Sequence, residues 1–167
     1  MKNLFFLSAC FFFSLNSLFS EIHNLKFDVE GMSCSVCVYS IEKNSKKIEA
    51  LQSLRFDQRE GKLLVALKEG SSFNYNIFKE LIVDSGFVLK KVELDFSANL
   101  RFEDDRWIVN SSVDGTEFSL HHDLTADDLQ LLQTALDEEK MLKISGEIDA
   151  KDPNAGSEIW LKSVEFL

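Results

Sequence analysis

The first half of the chain alternates strand-like and helix-like hydrophobic patterns. Leu25, Phe27 and Val29 alternate with charged residues, which is the period of a strand with one buried face. Gly31 is expected to end this strand, and Gly86 to end a helix in a left-handed conformation. The same patterns predict helices at residues 37–48 and 73–85, and strands at residues 51–56, 62–67 and 87–96.

The second half has a different rhythm, with more strand segments and one helix. Asp114 and Gly115 predict a tight hairpin turn, because Asp-Gly accepts the positive φ angles that such a turn needs. Thr125 is a good N-cap for a helix that continues to Leu136, with acidic residues in the first turn, where they favour the helix dipole. Strands are expected at residues 100–102, 107–113, 117–121, 141–148 and 158–166.

These patterns predict an α+β protein with two successive domains. The order βαββαβ predicts a ferredoxin-like domain over residues 21–97. A small β-rich domain with one helix is expected to follow over residues 98–167. Residues 99–167 weakly resemble an OB-like barrel, because a strand, a helix and two closing strands follow Gly115. The boundary near Ala98 rests only on the change of pattern.

Residues 1–20 have the layout of a secretory signal peptide. Lys2 supplies a short positive region, Leu4 to Phe13 is an almost continuous apolar run, and small serines follow it. We therefore expect export to the periplasm or cell envelope, with no membrane span after cleavage. Two alternatives stay open: an uncleaved anchor, and a lipoprotein modified at Cys10.

The charge balance narrows the classes of partner. The chain carries 28 acidic and 18 basic residues, a formal net charge of −10. A nucleic-acid-binding protein needs a basic face, so no nucleic-acid partner is expected. The sequence also offers no nucleophile–base pair and no acid–base constellation, and we expect no enzyme.

The most informative motif is the segment from Gly31 to Cys37, with cysteines at positions 34 and 37. We expect Cys34 on the loop after the first strand and Cys37 in the first turn of the next helix, where the helix dipole favours the thiolate. Thiolates are the preferred ligands of soft ions, and Cu(I) accepts two of them. Cys34 and Cys37 are therefore the predicted metal ligands, with Met32 expected in the core beneath the loop.

Three other interpretations of the two cysteines differ in what they require of the surrounding residues. A closed structural zinc site takes four ligands, and His23 lies at the far end of the first strand, roughly 25 Å away. A thioredoxin-like redox pair would be expected to face a proline, but Pro153 is the only proline and lies in the second half. Two incidental cysteines remain the third alternative. His121 and His122 are disfavoured as ligands, because adjacent strand residues point to opposite faces.

Residues 24–95 resemble the heavy-metal-associated (HMA) family, which includes small copper chaperones, modules of copper-transporting ATPases and the periplasmic mercury-binding protein. The segment from Gly31 to Cys37 resembles the family's Gly-Met-x-Cys-x-x-Cys loop, and Gly86-Phe87 resembles its Gly-aromatic pair. The other matches are the apolar residues Ile41, Leu51, Leu54 and Phe56. Ser45 and Ala50 depart from the family, which usually has Leu and Gly there.

The resemblance implies that Cys34 and Cys37 bind the ion and that Phe87 lies near the metal loop. It implies an exported metal-binding protein that passes Cu(I) to a protein partner by ligand exchange, in metal transport, homeostasis or detoxification. Cu(I) is the preferred ion, and Hg(II), Zn(II) and Cd(II) stay open. Two alternative functions remain: an envelope thiol–disulfide redox protein that uses the same Cys-x-x-Cys pair, and a partner-binding adaptor with a metal-sensing module.

Overall fold

The computed structural model describes residues 24–32, 35–112 and 114–167. Its strands and helices lie close to the positions that the hydrophobic pattern predicts. In chain order they are β1 (Asn24–Glu30), α1 (Ser35–Ser45), β2 (Leu51–Asp57), β3 (Lys62–Leu67), α2 (Tyr75–Asp84), β4 (Val88–Glu103), β5 (Arg106–Ser111), β6 (Glu117–Leu120), α3 (Ala126–Asp137), β7 (Leu142–Asp149) and β8 (Glu158–Phe166).

The eight strands of the described residues belong to one sheet, in the order β2-β3-β1-β4-β5-β6-β8-β7. A further pairing of β4 with β7 closes the last five strands of this order into a barrel. β6 and β8 pair in parallel, through Ser119 with Glu158 and Leu120 with Ile159, while the other pairs are antiparallel. Closure pairs strand edges that would otherwise be open.

The predicted fold class, a ferredoxin-like domain followed by an OB-like domain, is wrong, because one mostly β fold with a closed five-stranded barrel takes its place. The strands predicted at residues 87–96 and 100–102 are one strand, β4, of 16 residues. β4 pairs with β1 through residues 88–95 and with β7 through residues 91–98, so it belongs to both parts of the sheet.

The physical reason is the burial of two small residues between the predicted strands. Ser97 and Ala98 are 4% and 0% exposed, and the strand passes through them without a break. Their weak hydrophobicity hides this continuity from a periodicity argument. The domain bounds at residues 97 and 98 stay a prediction, and β4 runs across them.

Strands β1, β2 and β3 lie outside the barrel and are called the open strands. A contiguous core joins the helices, the open strands and the barrel. Phe27 of β1 packs on Phe78 of α2, with ring centroids 5.4 Å apart. Phe96 of β4 packs on Phe118 of β6 inside the barrel, with ring centroids 5.7 Å apart. Because β1 and β4 are paired in the same sheet, the core that α2 covers is continuous with the barrel core. Within the described residues, no helix has the length and apolar character needed to cross a membrane.

Candidate metal centre

The cysteine loop lies between β1 and α1. Cys34, with Ser33, lies outside the described residues. Cys37 is the third residue of α1, in the first helical turn as the sequence predicts, and its thiol also lies outside the described side chains. The role of both cysteines as metal ligands therefore stays a prediction, and the structure describes the scaffold on either side of them.

The chain leaves β1 through Gly31, whose φ of +94° would strain any side chain with a Cβ. Met32 follows directly and is 8% exposed, as a member of the core cluster. The prediction that Met32 packs in the core is confirmed. A buried anchor directly after the turn fixes the point from which the cysteine segment departs.

Phe87 lies beside this turn. A Cβ placed on Gly31 would lie 3.5 Å from Cδ1 of Phe87, in ordinary van der Waals contact. Gly86, with φ +89°, ends α2 as predicted. The Gly86 N–H donates to the Val83 carbonyl at 2.9 Å, and the Phe87 N–H to the Ile82 carbonyl at 3.1 Å. This capping geometry turns the chain so that the aromatic ring comes next to Gly31.

Helix α1 is fixed against the end of α2 through Ser85. Asn44 Nδ2 donates to Ser85 Oγ at 3.0 Å, and Ser85 Oγ in turn donates to the Leu81 carbonyl at 2.7 Å. The Ser40 hydroxyl also reaches the Ser85 carbonyl at 3.5 Å. Because Gly86 and Phe87 follow Ser85 directly, these bonds set the helix that carries Cys37 against the segment that carries Phe87.

Ser45, one of the two departures from the family pattern, is 6% exposed. Its hydroxyl donates to the Glu42 carbonyl at 2.9 Å, so the buried polar group is satisfied within its own helix. A serine is therefore tolerated at this core position without a partner from another element.

An ion pair lies where strands β1 and β4 reach the loop. Glu30 pairs with Lys90 across β1 and β4, and the hydrogen bond from Lys90 lowers the pKa of the Glu30 carboxyl. Val88, opposite Glu30 in the register, is 55% exposed. The surface next to Gly31 therefore combines a neutralised pair with an exposed apolar side chain.

The structure corrects the expectation for His121 and His122. Strand β6 ends at Leu120, so His122 does not follow strand alternation, and the two imidazole centroids are 4.0 Å apart. Glu158, at the start of β8, joins them: one ligand atom from each of the three residues lies within 4.8 Å of the others. No local pattern predicts this cluster, because only the parallel pairing of β6 with β8 brings Glu158 to the histidines.

The comparisons with known proteins give little. No family model matches the chain, and no curated protein matches it. Among solved structures, the N-terminal domain of PacS from Synechocystis PCC6803 is similar over 40% of this chain and 92% of that domain, with 21% sequence identity and a TM-score of 0.34. This likeness is too weak to show a family or a function. The HMA resemblance therefore stays a prediction from the sequence.

Proposed function

We propose that this protein binds one soft metal ion, preferentially Cu(I), through the thiolates of Cys34 and Cys37, and passes it to a protein partner. The observation that carries the proposal is the position of the two cysteines, one directly before α1 and one in its first turn. The partial positive charge of a helix N-terminus favours thiolate, which is the form that binds metal.

The described residues on both sides of the loop support the proposal. Gly31 and Met32 anchor one end, and the bonds to Ser85 hold α1 at the other. Phe87 covers the flank of the turn beside Gly31. Such a frame holds both ends of the short loop that carries Cys34.

Metal transfer proceeds by ligand exchange. A thiolate of the partner forms a bond to the ion as one cysteine sulfur leaves, and a second exchange releases the other cysteine. The ion keeps its oxidation state, and the released thiolates take up protons from water. The proposal includes export by residues 1–20, an envelope location and the absence of an enzymatic activity.

The test is a Cu(I) titration of the full chain against a chromophoric chelator, under anaerobic and reducing conditions. We expect one equivalent of Cu(I) to bind, and Cys34→Ser or Cys37→Ser to abolish that binding. Cys10→Ser and Ser35→Ala are the matched controls and keep it. Titrations with Hg(II), Zn(II) and Cd(II) rank the competing ions.

The same variants test the redox alternative. A failure of the wild-type chain to bind Cu(I), together with a strongly oxidising potential of a Cys34–Cys37 disulfide against glutathione, would overturn metal binding in favour of thiol–disulfide exchange. Cu(I) binding that survives both serine substitutions would also contradict the proposal, because the ligands would then lie elsewhere.

A further inference from the structure

The outer face of the barrel carries a second group of metal-ligating side chains, where β6 ends and β8 begins. Leu120 and Ile159 are paired in the register and point into the core, 6% and 0% exposed. Trp160, the neighbour of Ile159, therefore points outward, because side chains alternate along a strand, and the ring of His121, the first residue after β6, lies against it. Glu158, on the other side of Ile159, lies on the same outer face.

We propose that His121, His122 and Glu158 form a metal site for a borderline divalent ion, such as Zn(II) or Cu(II). Two imidazoles and a carboxylate are ligands that these ions accept, whereas Cu(I) prefers the sulfurs of the cysteine loop. The fourth position is open to water or to a group from a partner. This site is independent of the proposed function, because it shares no ligand with Cys34 and Cys37.

The separation of the ligand atoms fits closure around an ion. They lie within 4.8 Å of one another without a metal. In a tetrahedral zinc site with bonds of about 2.1 Å, ligand atoms are about 3.4 Å apart. A shift on the order of 1 Å is therefore needed, and His122, exposed in a bend beyond the end of β6, is placed to make it by rotating its side chain.

His121 is held by packing. Its ring stacks on the indole of Trp160, with centroids 3.5 Å apart and planes inclined by 16°. Its backbone N–H donates to the Ile159 carbonyl at 2.8 Å. The Nδ1 atom of His121 is buried and has no hydrogen-bond partner among the described residues. A buried ring nitrogen without a partner is costly, and a metal ion is one way to offset that cost for an imidazole.

Glu158 is oriented by a neighbouring amide. Asn154 Nδ2 donates to Glu158 Oε2 at 3.1 Å, and the Glu158 N–H donates to the Asn154 carbonyl at 3.2 Å. Metal-binding carboxylates are commonly hydrogen-bonded in this way by outer partners. Asn154 thus positions the carboxylate without being a ligand itself.

The segment that carries the histidines is fixed at its other end by the start of α3. The Thr125 hydroxyl accepts the Asp128 N–H at 3.1 Å, and the Asp128 carboxylate accepts the Thr125 N–H at 3.0 Å. This capping box, at the N-cap that the sequence predicts, leaves only residues 121–124 between β6 and the cap. Because this short connection is fixed at both ends, the histidines are already held near Glu158, and metal binding requires only a small rearrangement.

The test uses the full chain with Cys34→Ser, Cys37→Ser and His23→Ala. These substitutions remove the two proposed thiolate ligands and the third histidine. Isothermal titration with Zn(II), and separately with Cu(II), measures affinity and stoichiometry. We expect one equivalent of each ion. His122→Ala or Glu158→Gln lowers the affinity by about 100-fold, and Asn154→Ala by about tenfold. Glu165→Gln, an exposed carboxyl on the same strand, is the matched control and changes nothing.

A second readout comes from Trp160. With Trp107 replaced by Phe, Trp160 is the remaining tryptophan of the chain. Cu(II) bound to His121 then quenches its fluorescence, and Glu158→Gln shifts the quenching curve to higher Cu(II). The far-UV circular dichroism of each variant shows whether it is folded. No Zn(II) or Cu(II) binding by the folded background chain, or binding unaffected by both His122→Ala and Glu158→Gln, would overturn the proposal.

Discussion

Gly156 lies against the ring of Tyr75. A Cβ at position 156 would lie 2.7 Å from Tyr75 Cδ1, closer than side chains tolerate, and φ at Gly156 is +96°. Tyr75 begins α2, whereas Gly156 lies in the turn between β7 and β8. This contact packs a barrel loop against a helix beside the open strands.

Gly156→Ala is expected to destabilise the protein more than Gly115→Ala. Both positions have positive φ, which costs an alanine about 1–2 kcal/mol. A Cβ at Gly115 meets nothing within 4 Å, whereas one at Gly156 must displace the buried Tyr75, which adds about 1–3 kcal/mol. Urea unfolding of the two variants measures the difference, and equal losses would contradict the predicted clash.

Asp114, between β5 and β6 of the barrel, forms a second contact with the segment that precedes α2. Asp114 Oδ2 accepts the Phe73 N–H at 3.0 Å, and Oδ1 accepts the Thr116 N–H at 3.1 Å. Burial alone would raise the pKa of Asp114, but the hydrogen bonds from Ser111, Thr116 and Phe73 lower it below its ordinary value. The charged carboxylate is therefore the form that stabilises the fold.

Asp114→Ala is expected to lower the free energy of unfolding at pH 7 by about 1–3 kcal/mol. The folded-state pKa is below the unfolded one, so the stabilisation is fully present above about pH 4. It is lost as the pH falls through the folded-state pKa. Urea unfolding at pH 7 and pH 3 checks this, with Asp84→Ala, an exposed carboxyl, as control. A variant deficit that does not shrink in acid would contradict it.

The Lys91–Glu147 pair spans the seam that closes the barrel, between β4 and β7. Lys91 Nζ lies 2.8 Å from Glu147 Oε1, and the Glu147 side chain is 13% exposed. Burial alone would raise the pKa of Glu147, but Lys91 and Lys162 lower it. The hydrogen bond to Glu147 raises the pKa of Lys91.

A double-mutant cycle with Lys91→Met and Glu147→Gln is expected to give a coupling free energy of about 0.5–1 kcal/mol, since Lys91 is half exposed. The coupling should fall at high salt, because solvent screens the exposed partner. Chemical denaturation at low and high sodium chloride measures it. A coupling of zero at low salt would show that the pair contributes nothing to closure.

Phe87→Ala is expected to speed the loss of Cu(I) to a chelator on the order of tenfold, because an apolar cover limits access to a metal site. Stopped-flow measurement of metal transfer checks this. Ile77→Ala removes another partly exposed apolar side chain, 44% exposed on α2, and is the control. An equal rate of Cu(I) loss in the wild type, Phe87→Ala and Ile77→Ala would mean that Phe87 does not cover the ion.

The whole described structure is expected to unfold in one cooperative transition. β4 belongs to both the open strands and the barrel, and the Tyr75–Gly156 and Phe73–Asp114 contacts join them. Tryptophan fluorescence reports on the barrel, and far-UV circular dichroism reports on both parts. Two separated midpoints in urea would show that the parts fold independently.

The local structure follows from the order of the amino acids. Period-two and helical spacing placed the elements, Gly86 ended α2, and Thr125 capped α3, because these features depend on neighbours within one turn or strand. Met32 could likewise be assigned to the core from its place after the strand. The assignment of Cys34 and Cys37 as ligands rests on sequence alone.

How the strands combine depends on contacts between distant parts of the chain. A period-two pattern tells which face of a strand is buried, but not which strand lies beside it. The continuity of β4 through Ser97 and Ala98, and its pairing with β7, therefore could not be foreseen. The cluster of His121, His122 and Glu158 depends on the parallel pairing of β6 with β8, two strands separated in sequence by α3 and β7, and such a contact leaves no local signal in the sequence.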